Sequence, residues 1–384
     1  MTSNNASDSP RSTVSQDLHA IFGVAFYGLC NPAELWTSTG PTLSELTGGL
    51  LGQSFRPERD IADLSGKTVF ITGGNTGLGK ETVLQLARHN PARIYLAARN
   101  EAKAVEAIRS IREELSPSSS TATTVDIQYT RLDLADFSSI RQAAAQFTQD
   151  NSRLDILILN AGILAEAAVT TPQGHEIQLG TNHIGHFLLT KLLLPVLEKT
   201  ANQDEEETAD VRVITLTSLA SGLTPSSLSS SSSSSPTNNE QEEEADFITT
   251  ISSTPRLLSL TTWQRYAISK AANILFATEL ARRHPSLTSV SVHPGLVASD
   301  LYNPTQATNK LASYVLPLSM KVVFRSVRSG TLNQLWAAAG ARKEQIVNGA
   351  YYTPVGYRNE ANRFVVDERL ARRLWEWTDE VTNA

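Results

Sequence analysis

Short apolar runs alternate with helically spaced segments along most of the chain, and a glycine-rich turn sits between the first run and the first helical segment. Together these predict an α/β fold: one Rossmann-type doubly wound parallel sheet with helices on both faces. Two parts are expected outside that frame, an N-terminal extension over residues 1–60 and a disordered Ser/Glu-rich insertion. With 384 residues, 40% of them hydrophobic, the chain can bury a sizeable core.

KTVFIT (67–72) is a short β-branched run, the pattern of a strand buried on both faces. The turn TGGNTGLG (72–79) leads into KETVLQLARH, which has helical spacing. RIYLAA (93–98) reads as the second strand and EAKAVEAIRSIREEL (101–115) as the second helix. Asn100 is placed to cap that helix, its side-chain oxygen accepting a first-turn N–H. VDIQYTRL is the third strand, SSIRQAAAQFTQD the third helix and LDILIL (154–159) the fourth strand. A long helix is expected from about Gly174 to Glu198. VRVITLT (211–217) is the fifth strand, RYAISKAANILFATELARR (265–283) a helix and LTSVSVH (287–293) the sixth strand. VRSGTLNQLWAAAG is helical, and GAYYT is a candidate last strand. SSLSSSSSSSPTNNEQEEEADF (226–247) has too little apolar surface to order itself and reads as a loop inserted after the fifth strand. A phosphorylated regulatory loop is the alternative reading.

Composition excludes several classes. Charged residues make up 19% with net charge −6, and no basic stripe stands out, so no nucleic-acid partner is expected. Cys30 is the sole cysteine, which rules out an intramolecular disulfide and a Cys-rich metal site and fits a cytoplasmic location. AIFGVAFYGLC (Ala20 to Cys30) is shorter than the roughly 20 residues of a spanning helix. It has the length of a signal-peptide core, but Arg11 is offset by Asp8 and Asp17, and peripheral membrane contact stays open. His183 and His186 lack a third acid or histidine at ligand spacing, so no metal is expected.

In sheets of this type ligands bind beyond the C-terminal strand edge. Gly73 permits a sharp turn, Gly77 lets a pyrophosphate approach the backbone, and Gly79 lets helix and strand pack closely. The helix start offers unpaired N–H groups to phosphate. The spacing is G-x-x-x-G-x-G rather than G-x-G-x-x-G. Five more motifs follow in order: NAG (160–162), NHIGHFLLT (182–190), Ser218 after the fifth strand, YAISK (266–270) and HPGLVAS (293–299). On these motifs the chain resembles the short-chain dehydrogenase/reductase superfamily over roughly residues 65–300. NHIGHFLLT and GNTGLGKET are similar to the retinol-dehydrogenase-like branch, and the extension and serine insert resemble fungal members.

The resemblance implies a nicotinamide cofactor held by Gly73, Asn75, Gly77, Leu78 and Gly79. Asp133 and the backbone of Leu134 would border the adenine; Asn160, Ala161 and Gly162 would line the adenosine ribose and stabilise the sheet. Pro294 and Gly295 would lead to Val297, whose backbone meets the nicotinamide carboxamide, with Ser299 supplying a hydroxyl. An acidic residue after the second strand would bind ribose hydroxyls, but the chain reads AARN, with Arg99 there and Lys103 one turn on. A guanidinium suits a 2′-phosphate, so NADP(H) is expected. The alternative is that both are solvated residues of a helix start.

Tyr266 and Lys270 are one helical turn apart and share a face. A tyrosine is mostly neutral at physiological pH, and a nearby ammonium favours its phenolate. That makes Tyr266 a candidate general acid/base. Such a pair arises often by chance; the strand-end Ser218 and the glycine turn give this one its weight. The resemblance places both Tyr266 and Lys270 against the cofactor, Lys270 on the nicotinamide ribose, and gives Ser218 the substrate oxygen and Asn182 a water that links Lys270 to solvent.

The reaction implied is interconversion of a carbonyl and an alcohol on a small molecule, with the protein supplying position and proton. A role in secondary metabolism is a further expectation. An apolar lid over 296–325, with Leu301, Tyr302, Tyr314 and Leu316, suggests a lipophilic or aromatic substrate. The domain plan is an extension over 1–60, a nucleotide-binding domain over 61–357 with a low-complexity insertion at 221–262, and a C-terminal helix over 358–384. A homo-oligomer and a monomer are both left open. The rival function is a catalytically silent NADP(H)-binding scaffold or redox sensor, against which the intact Asn182, Ser218, Tyr266 and Lys270 argue.

Overall fold

Every residue of strand β1 (Thr68–Thr72) is buried, as its uninterrupted apolar and β-branched run requires. Around it lie β2 (Arg93–Ala98), β3 (Asp126–Arg131), β4 (Ile156–Leu159), β5 (Arg212–Leu216), β6 (Thr288–Val292), β7 (Tyr351–Thr353) and β8 (Tyr357–Arg358). The computed structural model describes residues 55–116, 125–164, 166–203, 209–224, 247–295, 297 and 326–383. Ser299, the N-terminal stretch 1–54, most of the lid 296–325 and the serine–acid run 225–246 lie outside the described residues.

The strands form one eight-stranded sheet in the order β3-β2-β1-β4-β5-β6-β7-β8. β1 to β7 pair in parallel, and β8 folds back antiparallel on β7. The register pairs Thr72 with Ala97, Leu159 with Thr215, and Leu216 with Val292, so the C-terminal ends of the central strands are aligned. Strand order reverses between β1 and β4, the switch point at which such sheets open a crevice.

Helices α1 (Gly77–Ala87), α2 (Glu101–Leu115) and α6 (Val327–Leu335) cover one face. Helices α3 (Phe137–Asp150) and α4 (Gly185–Ala201) cover the other, joined by α5 (Thr262–Arg283) and α7 (Glu368–Asn383). The two-residue period of a strand sorts the core: Val69 and Ile71 go to the first layer, Phe70 to the second. Asn100 caps α2 as expected, accepting from Lys103 N–H at 2.9 Å. On the second layer, Trp375 of α7 stacks on Phe276 of α5 with centroids 5.8 Å apart.

Three expectations need correction. The long helix expected from Gly174 to Glu198 is not continuous. A short turn, Ile177–Leu179, runs into a π-helical turn, Gly180–Ile184, and only then does α4 begin, ending at Ala201. A π turn adds a residue between hydrogen-bonded partners and shifts the side chains after it around the axis. Next, the low-complexity span 221–262 ends in ordered structure. Residues 247–252 and Thr254–Ser259 are helical, and Phe247, Ile251 and Leu257 are buried. Finally, the C-terminal helix starts at Glu368, well after residue 358, because 357–358 pair as β8.

No described helix is long and apolar enough to cross a membrane, and no described cluster of His, Cys, Asp and Glu could hold a metal ion.

Candidate active site

The turn after β1 is shaped for close approach. Gly73 and Gly77 have φ of 67° and 50°, a region that side chains disfavour. A Cβ on Gly79 would lie 2.1 Å from the Gly73 carbonyl oxygen and 2.7 Å from Asn160 Nδ2. Asn160 ties the ends of β1 and β4 together by donating to the Thr72 carbonyl at 2.8 Å. Its Oδ1 is buried with no hydrogen-bond partner. Ala161 N–H donates to Thr72 Oγ1 at 3.0 Å.

Two histidines absent from the expected site complete this frame. Burial lowers the pKa of His186 to about 4 and of His183 to about 3, so both are neutral. His186 Nδ1 lies 3.0 Å from the Asn182 carbonyl, an acceptor only, so Nδ1 carries the proton. Its Nε2 must then accept from Thr72 Oγ1, 2.9 Å away. A chain of polar contacts thus runs from the Ala161 N–H through Thr72 and His186 to the π turn. His183, on the other side, bonds Thr378 of α7 at 3.0 Å.

Asn182 sits in that π turn, fully buried. Its Oδ1 accepts from Ile163 N–H at 2.8 Å, and its Nδ2 donates to the Ile163 carbonyl and to Ser269 Oγ, each at 3.0 Å. The side chain is a splint between the loop after β4 and helix α5. Its carbonyl is engaged by His186 and its side chain by Ile163 and Ser269.

Lys270 is 4% exposed and enters the same region. Its Nζ donates to the Leu216 carbonyl at 3.2 Å, its one acceptor among the described residues. A Cβ on Gly162 would lie 3.3 Å from this Nζ and 3.4 Å from Asn182 Oδ1, so all three converge. Burial lowers the Lys270 pKa from 10.5 to about 8, which leaves the ammonium mostly charged at neutral pH. It stands 5.7 Å from the centre of the Tyr266 ring. Tyr266 is 5% exposed and packs with Leu164, Ala220, Leu223 and Trp263. Ala220 belongs to the short 3₁₀ turn Leu219–Leu223, which Ser218 caps by accepting from Ala220 N–H at 3.2 Å. Ser218 and Tyr266 therefore flank one apolar cluster.

The remaining expected residues lie along the same sheet edge. Arg99 and Lys103 are exposed beside the start of α2 and make no hydrogen bond or ion pair through their side chains among the described residues. Asp133 Oδ1 accepts from Ala135 N–H at 3.0 Å, and Leu134 is buried. Pro294 and Gly295 follow β6, with Gly295 at φ 87°. Val297 and Leu78 meet over Gly330, where a Cβ would lie 2.4 Å from Val297 Cγ2 and 2.9 Å from Leu78 Cδ2.

Sequence reasoning missed a buried ion pair that braces these helices. Arg265, 4% exposed, donates from Nε to Glu176 Oε1 at 3.0 Å. Its other donors reach the Leu260 and Glu166 carbonyls and Thr262 Oγ1. Glu176 Oε2 caps Leu179 N–H at 2.8 Å, just before the π turn. Burial raises the Glu176 pKa although Arg265 and the backbone N–H groups of Leu179 and Gln178 oppose it. Arg265→Met would strand that carboxylate. The variant is expected to be about 3–5 kcal/mol less stable by urea unfolding at neutral pH. The loss should shrink as pH falls and Glu176 takes up a proton; an equally stable variant would show that the pair does not brace the fold.

The glycine cradle, the orphaned Asn160 oxygen and the buried ammonium with spare N–H groups fit a dinucleotide, which Lys270 would hold by its ribose hydroxyls. Fold and site together define an oxidoreductase of the Rossmann type. The short chain dehydrogenase family model matches residues 67–235. A short-chain dehydrogenase/reductase of Armillaria gallica is 35% identical over 86% of this chain and 96% of its own. Retinol dehydrogenase 13 of Homo sapiens is 32% identical over 82% of this chain and 84% of its own. A crystal structure of a Mycobacterium paratuberculosis protein superposes with a TM-score of 0.57 at 26% identity, covering 86% of this chain and 98% of that one. This chain belongs to the short-chain dehydrogenase/reductase family, whose members bind NAD(P).

Proposed function

We propose that this protein is an NADP(H)-dependent oxidoreductase that interconverts a carbonyl and an alcohol on a lipophilic or aromatic small molecule. The observation that carries the reading is the buried Lys270 ammonium, one helical turn from Tyr266, with N–H groups to spare. Bound cofactor supplies or accepts the hydride. Tyr266 gives the substrate oxygen a proton in one direction and takes it back in the other. Ser218 holds that oxygen, and Lys270 keeps a positive charge near the phenol while binding ribose. The apolar surroundings of Tyr266 support a lipophilic substrate, as does the name of the retinol dehydrogenase relative.

Arg99 and Lys103 support NADP over NAD, as exposed cations without an ion pair among the described residues. Purified protein is expected to oxidise NADPH when offered a panel of aromatic ketones and aldehydes, followed by loss of NADPH absorbance. Arg99→Asp should cut the NADPH-over-NADH preference in kcat/KM by about ten- to a hundredfold, the scale of a charge-assisted hydrogen bond. An unchanged preference would remove Arg99 from the 2′-phosphate site.

A further inference from the structure

We propose that the cup around Tyr266 takes a flat lipophilic carbonyl compound bearing a second hydrogen-bond acceptor, and that the indole N–H of Trp263 is the donor that selects it. The inference rests on the carbonyl/alcohol reading above and adds the substrate feature that the pocket recognises.

Trp263 lies in the first turn of α5, three residues before Tyr266 and seven before Lys270, so the three share a helix face. The Trp263 and Tyr266 rings meet edge to face, centroids 6.4 Å apart at 87°. A Thr261–Gln264 capping box fixes the backbone of that turn, and Arg265 clamps it to Leu260 and Glu166. The indole is therefore held as a wall of the site. Leu164, Ala220 and Leu223 complete the cup from the loops after β4 and β5.

The wall carries one polar atom out of place. Trp263 Nε1 is buried and has no hydrogen-bond partner. An indole nitrogen only donates, so it needs an acceptor. Native proteins seldom leave a buried donor unmade, and an orphaned one calls for an explanation, a functional role among them. Leu164, Ala220 and Leu223, which share this cluster, are hydrocarbon and offer none. The reacting substrate oxygen is committed to Tyr266 and Ser218, so the indole requires a different acceptor on the same molecule. A ring oxygen, ether or second carbonyl would serve. The described side chains of this cluster carry no cation, which argues against a carboxylate or phosphate there. Sites built around a donor reject analogues that lack its acceptor.

Two matched pairs of ketones test this, with the acceptor near to and far from the reacting carbonyl: 4-chromanone against 1-tetralone, and 6-methoxy-1-tetralone against 6-ethyl-1-tetralone. With the full chain and NADPH, kcat/KM for the oxygen-bearing member of at least one pair should exceed its partner by about tenfold, the scale of one neutral hydrogen bond. Trp263→Phe keeps an aromatic wall without the donor and should bring that ratio close to one. A readout independent of turnover is the indole N–H signal of ¹⁵N-tryptophan-labelled protein, assigned by its absence in Trp263→Phe. The oxygen-bearing ketone should move it downfield, and the carbocyclic partner should not. A signal unmoved by both oxygen-bearing ketones, or a preference that survives in Trp263→Phe, overturns the proposal. A moved signal without NADPH oxidation would sustain this binding role and sink the oxidoreductase reading instead.

Discussion

Tyr266→Phe is expected to lower kcat/KM for carbonyl reduction by about 10²–10⁴-fold, the range associated with a positioned general acid or base. The same variant should bind NADPH as tightly as the parent and unfold at nearly the same temperature. The reason is geometric. Only an oxygen is removed, while the ring keeps its contacts with Leu164, Ala220 and Trp263. Helix α5 keeps its cap at Thr261 and its brace at Arg265. On the proposed reading the cofactor is held chiefly by the glycine turn and Lys270, neither of which the substitution touches. Loss of activity with intact NADPH binding therefore isolates the proton step. NADPH affinity is read by quenching of protein fluorescence and stability by the thermal midpoint. Turnover equal to the parent would remove Tyr266 from the chemistry.

Much of the fold could be read from sequence because short-range patterns dictate it. Arg93–Ala98 and Glu101–Leu115 form the expected strand and helix with the expected ends, since an apolar β-branched run and an Asn-capped 3.6-residue period leave few alternatives. The glycine turn, Asn160–Gly162, Ser218 and Pro294–Gly295 directly follow strands, so the topology brings these candidates to one edge. What escaped depends on partners distant in the chain. Thr72 and His186 are 114 positions apart, and Glu176 and Arg265 are 89 apart. Neither pairing has a local signature, and a histidine three residues after another reads first as helix packing. The π turn at Gly180–Ile184 is likewise invisible to a pattern search that assumes one period. One miss had a signal available. Thr261 and Gln264 form the T-x-x-Q of a capping box, which marks the true start of α5 before Arg265.

Lys270→Met is expected to separate stability from function. Burial lowers the lysine pKa from 10.5 to about 8, so holding the ammonium at neutral pH costs the fold about 3 kcal/mol. Methionine fills a similar volume without charge. The Leu216 carbonyl would not be orphaned by the change, because Asn273 Nδ2 also donates to it at 2.9 Å. The variant without cofactor should therefore be about 1–3 kcal/mol more stable than the parent at pH 7 in urea unfolding, and should turn over about 10²–10⁴-fold more slowly. The pH dependence has a definite sign. The folded pKa lies below the unfolded one, so the penalty is fully present below pH 8 and disappears as pH rises toward 10.5. The advantage of methionine should accordingly shrink between about pH 7 and pH 9. Saturating NADPH should reverse the order, since ligand stabilises the folded state by its affinity and the variant lacks the ammonium for the ribose. A variant already less stable than the parent at pH 7 without cofactor would mean that the protein compensates the buried charge. Lys270 would then be a structural ion, with no spare bonding capacity waiting for a ribose.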